Sequence, residues 1–377
     1  MKYMGSKRAM LQNGLGRLIR EESTRHDRIV DLFSGSGSVS WFAAQHFEKP
    51  VLSVDLQEYA KAMAKAVVER TVAVEPEYVA DEWLGSVTRR CYKRRLWKAA
   101  QALESPRTNT ATWVARARVL CSEENGGVLW NSYGGYYFSP SQSLLFDVML
   151  DSLPARGPTR WVCLAATIVA ASRCAASPGH TAQPFQPTRT ASEYLRDAWS
   201  RDPLAYARRS LREIAPLCAK VRGQAKRGNA IKIVNQLDEA DLMFVDPPYS
   251  AVHYSRFYHV LETIARGWCS TVSGSGRYPP VAERPISDFS LKSEAATALR
   301  ALLSRLSEQG CTVILTFPAG QCSNGLSGKC VCEIANSSFS VDFRRVKTRF
   351  STLGGNNQNR SARTNSRELI LLLRPLR

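Results

Sequence analysis

The chain has 377 residues, 44% of them hydrophobic and 22% charged. These values describe a globular protein with a large core; no low-complexity tract is long enough to suggest disorder, and no internal repeat is seen. Lys and Arg number 51 against 33 acids, a formal net charge of +18, which points to a polyanionic partner: nucleic acid first, an anionic membrane surface second.

The opening "MKYMGSKRAML" is basic and lacks a long apolar run, so no secretory leader is expected. "RIVDLF" (28–33) predicts a short buried strand ending in the glycine turn "SGSGS", with a helix from Val39 to about Glu48. "VLSVD" (51–55) predicts a second strand and "QEYAKAMAKAVVER" (57–70) a second helix. This βαβα run opens a doubly wound parallel sheet. From 71 to 228 the segments are helix-like and Arg-rich, apart from the aromatic stretch "GGVLWNSYGGYYFSPSQ" (126–142). "WVCLAATIVAASRCAA" (161–176) is too short for a membrane span and reads as a buried helix.

Strand signals return at "NAIKIVNQ" (229–236), "DLMFV" (241–245) and "CTVILTF" (311–317). "SFSVDFRRV" and "ELILLL" can pair as an antiparallel hairpin around the polar loop "STLGGNNQNRSARTNS" (351–366). The expected organisation is therefore a split α/β domain, 1–70 with 229–377, carrying an inserted, mainly helical domain at 71–228. Ten cysteines are scattered without paired metal-ligand spacing, so no metal is expected. The thiols read as reduced, which predicts a cytoplasmic, nucleoid-associated protein.

Two motifs carry chemistry. In "DLFSGSGS", Gly35 and Gly37 let the backbone turn tightly and approach a ligand at a helix amino terminus. Asp55 ends the next strand, where a carboxylate can accept from ribose hydroxyls. A third glycine is missing, which argues against a dinucleotide and leaves S-adenosylmethionine as the nucleoside cofactor. The second motif is Asp246-Pro247-Pro248-Tyr249, directly after a buried strand. Both prolines end the strand, because neither can donate to the ladder.

An exocyclic amine on a base is a poor nucleophile, since its lone pair is delocalised into the ring. Two acceptors on its hydrogens, the Asp246 carboxylate and the Pro247 carbonyl, would draw it towards tetrahedral geometry. Tyr249 offers a ring on which an extruded base can stack. After this turn, "SAVHYSRFYHVLE" interleaves His253, Tyr254, Arg256, Tyr258 and His259, a beginning expected to face a nucleic-acid strand. Phe257, Val260, Leu261 and Ile264 are expected on the core face of the same helix. The runs "RRCYKRRLWK" (89–98) and "RRSLREIAPLCAKVRGQAKR" (208–227) read either as solvated helix faces or as phosphate contacts.

With these residues in order, the chain resembles the adenine-N6 DNA methyltransferases whose motifs run cofactor loop, target-recognition insert, Asp-Pro-Pro-Tyr. "KYMGSK" (2–7), "DLFSGSGS", "DPPY", "STLGG" and "RELILLL" carry the resemblance. It implies a Rossmann-like, S-adenosylmethionine-dependent catalytic domain and a DNA-binding insert. It implies that Tyr3 and Lys7 lie near the cofactor, that Asp31, Phe33, Gly35 and Gly37 surround its methionine part, and that Asp55 holds the ribose. An acidic residue at the end of the strand before the catalytic one often reads the cofactor's adenine; here Asn235 is the candidate and Asp238 the fallback. Tyr254, Arg256, Arg360 and Arg363 are the expected DNA contacts.

The implied reaction is sequence-specific methylation of a flipped adenine in double-stranded DNA, by a monomer and without a membrane. Restriction-modification and phage defence are the implied settings, and a cognate restriction or defence component is left open. Adenine in RNA, the cytosine amine in DNA, and a non-catalytic DNA-binding module with the same fold stay as alternatives.

Overall fold

The computed structural model describes residues 7–104, 109–123, 125–351 and 363–376, with the side chains of 348–351 and 363–366 left aside. Tyr3 and Arg360 fall outside the described residues, and Arg363 is described only as the first residue of a strand.

The chain forms two compact units. The sheet unit comprises residues 4–72, 217–254 and 285–377. Its seven strands are β1 Arg28–Asp31, β2 Val51–Asp55, β3 Gln224–Arg227, β4 Asp241–Val245, β5 Thr312–Pro318, β6 Phe339–Ser351 and β7 Arg363–Pro375. They lie in the order β3-β2-β1-β4-β5-β7-β6. The first five run parallel; β7 is antiparallel to β5 and to β6. β1 and β4 are neighbours in register, Asp31 opposite Phe244, and the chain leaves this pair in opposite directions across the sheet. That is a topological switch point, where carboxyl-end loops diverge and leave a crevice.

Alternation along the strands explains why these apolar runs are buried on both faces. Met243, Val245, Val313, Leu315 and Leu371 point into one core, with helix Ala295–Glu308 and helix Gly328–Asn336. Leu242, Phe244, Ile314, Ile370 and Leu372 point into the other, with helix Ser38–His46 and Leu15, Leu18 and Ile19. Each such side chain contributes roughly 1.5–3 kcal/mol of burial. At the amino ends, Arg28 donates two bonds of 2.6 Å to Asp241 and ties β1 to β4.

β3 is not where the sequence placed it. Residues 230–233 and 234–236 are helical, because the Asn229 side chain caps the Ile231 amide at 2.9 Å and starts a turn. The strand lies just before, in the polar "QAKR" segment, which has no apolar signature. Gly223 allows it in: a Cβ there would stand 2.2 Å from the Val51 carbonyl oxygen.

The helical unit comprises 73–216 and also 255–284, so the segment after the Asp-Pro-Pro-Tyr turn belongs with the helices. Helix Pro158–Cys174 is buried along most of its length, as its composition predicts. Trp113 and Trp199 meet edge to face, ring centroids 4.9 Å apart, in a small core with Val114, Ala117 and Leu195. No described helix is long and apolar enough to cross a membrane.

Candidate active site

The glycine loop leaves β1 at Asp31. Gly35 and Gly37 have φ of 48° and 77°, the left-handed region where a side chain is strained. Gly37 is crowded as well, since a Cβ would lie 2.8 Å from Trp41 Nε1. The Asp55 carboxylate accepts from the Gly35 amide at 2.8 Å and from the Gln57 amide at 2.9 Å, so it braces the loop from the end of β2. Burial raises its pKa, and those two amides oppose the rise. Phe33 meets Phe289 edge to face at 5.0 Å.

Asp31 is buried. Ser40 donates to its Oδ2 at 2.6 Å, while Oδ1 has no hydrogen-bond partner among the described residues. Burial raises its pKa to about 7, Ser40 opposing. A buried carboxyl with one open oxygen, beside a backbone cradle, suits a cationic ligand head.

The Asp-Pro-Pro-Tyr turn leaves the neighbouring strand, β4, on the same edge. Its carboxylate is held by residues distant in sequence. Lys7 Nζ lies 3.0 Å from Asp246 Oδ1 and 2.8 Å from Glu368 Oε2 of β7. Thr316 of β5 donates to the same Oδ1 at 2.9 Å. Lys7 is thus a buried cation between two carboxylates, and their attraction, against the opposing effect of burial, holds its ammonium above the usual lysine range. Asp246 is pushed up by burial and by Glu368, and pulled down by Lys7 and Thr316. The carboxylate is 17% exposed, and its contacts with Lys7 and Thr316 both fall on Oδ1.

Asn324, fully buried, donates to the Pro248 carbonyl at 2.9 Å and to the Phe289 carbonyl at 3.0 Å. The turn is therefore anchored at its second proline, which leaves Pro247 free of that tether. Tyr249 is only 7% exposed, edge on to Phe317 at 6.5 Å, with Lys7 Nζ 6.0 Å from its ring centre. Its face is not open in this conformation.

The structure places the other expected residues as follows. Lys7, expected near the cofactor, sits on Asp246. Asn235 is exposed in a 3-10 turn, and Asp238 precedes β4 at its amino end, where its carboxylate caps Ala240. Asn229 stands two residues past the carboxyl end of β3, after Gly228.

Phe257, Val260, Leu261 and Ile264 are buried as expected. Tyr258 and His259 are also buried, 1% exposed each, so they do not present a surface; burial lowers the His259 pKa to about 4. Tyr254 is half-buried and Arg256 exposed. In the 208–227 run, Arg208 bonds Glu77 and Asp81, and Arg212 bonds Glu77. Arg209 and Arg173 share Glu213. These cations are matched by acids of their own unit. Thr316, Asn324 and Glu368 had no local sequence signal.

A family model described as D12 class N6 adenine-specific DNA methyltransferase matches residues 3–91 and 200–305, just over half of the chain. It spans the glycine loop and the Asp-Pro-Pro-Tyr turn, while Thr316, Asn324 and Glu368 lie beyond it. No curated protein matches the chain.

Proposed function

The chain belongs to the D12 class N6 adenine-specific DNA methyltransferases, and from that premise we propose how its own residues divide the work. The methyl donor is S-adenosylmethionine, which supplies an electrophilic methyl group when bound. Asp31 Oδ1 faces its ammonium, the loop at Gly35 and Gly37 admits its methionine part, and Phe33 packs beside it. Asp55 exchanges a loop amide for ribose hydroxyls, and Asn229 reads the adenine edge.

The observation that carries the reading is the asymmetry of Asp246. Lys7 and Thr316 occupy Oδ1, so Oδ2 is the acceptor for one hydrogen of the substrate amine. The Pro247 carbonyl accepts the other, with Asn324 fixing the neighbouring Pro248 carbonyl. Both acceptors are set before the substrate arrives, which is where electrostatic catalysis gains most. The base is extruded from duplex DNA, and Tyr249 swings from its edge-on position to stack on it. The helical unit recognises the target sequence.

The test is transfer of labelled methyl from S-adenosylmethionine to duplex DNA, with digestion of the product to nucleosides. N6-methyl-2′-deoxyadenosine in the digest, lost in Asp246→Ala with DNA binding kept, is the expected result. Label in RNA alone, in the cytosine amine, or undiminished in Asp246→Ala would overturn the reading.

A further inference from the structure

Several arginines of the helical unit are matched by carboxylates, among them those at 173, 208, 209 and 212. Four others are gathered on two tyrosines. Arg118 and Arg277 lie over the Tyr136 ring, 4.2 and 4.5 Å from its centre. Arg256 and Arg284 lie over the Tyr278 ring, at 4.9 and 5.4 Å.

Among the described residues, no ion pair joins any of these four to a carboxylate. Their hydrogen bonds go to neutral groups: Arg118 to the Gly135 carbonyl and Gln186, Arg277 to the Ser132 and Asn131 carbonyls, Arg256 to the Tyr278 hydroxyl. Arg284 Nε is buried without a partner among the described residues.

Two further features show that the arrangement is held against a cost. Arg277 has φ of 53°, the one non-glycine residue in the left-handed region among those described. A side chain there costs on the order of 1–2 kcal/mol, and it persists only where the surroundings enforce it. Here the Ser273–Tyr278 bridge and the two carbonyl bonds enforce it. Arg118 is also pushed down in pKa by burial and by Arg277, the mark of a cation facing a cation.

The tyrosines are fixed from below. The Tyr278 hydroxyl donates to the Ala182 carbonyl, and Tyr137, next to Tyr136, donates to the Gly276 and Thr181 carbonyls. Four guanidiniums on two rigid rings, with no acid to neutralise them, lack only an anion.

We propose that Arg118, Arg277, Arg256 and Arg284, laid on Tyr136 and Tyr278, form the surface that grips the phosphates of duplex DNA. This deepens the functional reading above and rests on it. Arginine forks suit phosphate oxygens, and rings beneath them limit the freedom lost on binding. Such contacts carry affinity and salt dependence rather than sequence choice.

Duplex binding is followed by fluorescence anisotropy of a labelled DNA of about 30 base pairs, across a series of salt concentrations. Each phosphate contact contributes a slope of about −0.9 in log K against log salt. The single variants Arg277→Gln and Arg118→Gln should each flatten the slope by about one unit, and the fourfold Gln variant by two or more. In Arg277→Gln, KM for DNA should rise while kcat at saturating DNA is kept. Arg208→Gln with Arg212→Gln should leave the slope unchanged.

Arg277→Lys keeps the charge and should recover most of the slope; thermal melting followed by circular dichroism confirms that each variant is folded. Folded single variants that keep the wild-type slope, in a wild type that methylates DNA, overturn this surface alone. Tighter binding of single-stranded RNA than of duplex by the same residues overturns the duplex assignment. A wild type that transfers no methyl to DNA overturns the functional reading itself.

Discussion

Replacing Lys7 by Met keeps most of the side-chain volume and removes the charge between Asp246 and Glu368. At 3.0 Å and an effective dielectric of about 20, the attraction of Lys7 to Asp246 is on the order of 5 to 6 kcal/mol. Water entering the space would return part of this, so the figure is an upper bound. Lys7 is the main influence lowering the Asp246 pKa, while burial and Glu368 raise it. Asp31, itself raised to about 7 in part by Asp246, is a further carboxyl facing the same space.

With Lys7 gone, Asp246 titrates higher, and more of it is protonated at neutral pH. A protonated carboxyl donates where the amine needs an acceptor. Single-turnover methyl transfer to duplex DNA, followed from pH 6 to 9.5, should fall roughly ten- to hundredfold at pH 7 in Lys7→Met. The loss should shrink as pH rises, and Lys7→Arg should restore part of the rate. Stability moves the other way with pH: the unfolded chain ionises Asp246 at lower pH than the folded variant, so melting temperature should fall as pH rises. A wild-type rate in Lys7→Met, or a deficit equal at every pH, would refute the placement of Lys7 as the group that keeps Asp246 ionised.

Three further outcomes are expected. Asp31 is mostly protonated at pH 6, and a cationic head at Oδ1 favours its ionised form, so binding of S-adenosylmethionine there should release close to one proton; calorimetry in buffers of different ionisation enthalpy measures it, and Asp31→Asn should abolish it. In the absence of that ligand, the rise from 3.8 to about 7 means that stability falls between pH 4 and 7, by up to about 4 kcal/mol from this carboxyl, and Asp31→Asn should flatten that slope in urea titrations. Asn324→Ala leaves the Pro248 and Phe289 carbonyls without their donor, at roughly 1–3 kcal/mol each; kcat should drop with cofactor affinity nearly kept, and an unchanged kcat would count against the anchoring of the turn.

The sequence revealed those parts of the fold that have a local signature. β1, β2, β4 and β5 are short apolar runs bounded on one side by glycine or proline, and each was placed within a residue or two. β3 is four polar residues whose identity as a strand comes from pairing with β2 and from Gly223, neither of which leaves a pattern in a window of ten. That single displacement is why Asn235, expected near a strand end, lies in a 3-10 turn. The glycine loop and the Asp-Pro-Pro-Tyr turn were legible because steric and chemical demands fix their residue types. Their supports were not. Thr316 is one hydroxyl in a buried strand, Asn324 one amide in a loop, and Glu368 one acid in "RELILLL". Charge runs left two readings open for a related reason: composition shows how many arginines stand together, not which already have an acid opposite them.

The bond between Lys7 and Glu368 joins positions 361 apart, through a strand threaded between β5 and β6. A nascent chain that has produced the Asp-Pro-Pro-Tyr turn but not β7 has an incomplete charge set around Asp246. The charge set around Asp246 is thus complete only once β7 is in place, so a chain divided ahead of β7 should yield two fragments that hold this set only when they reassociate.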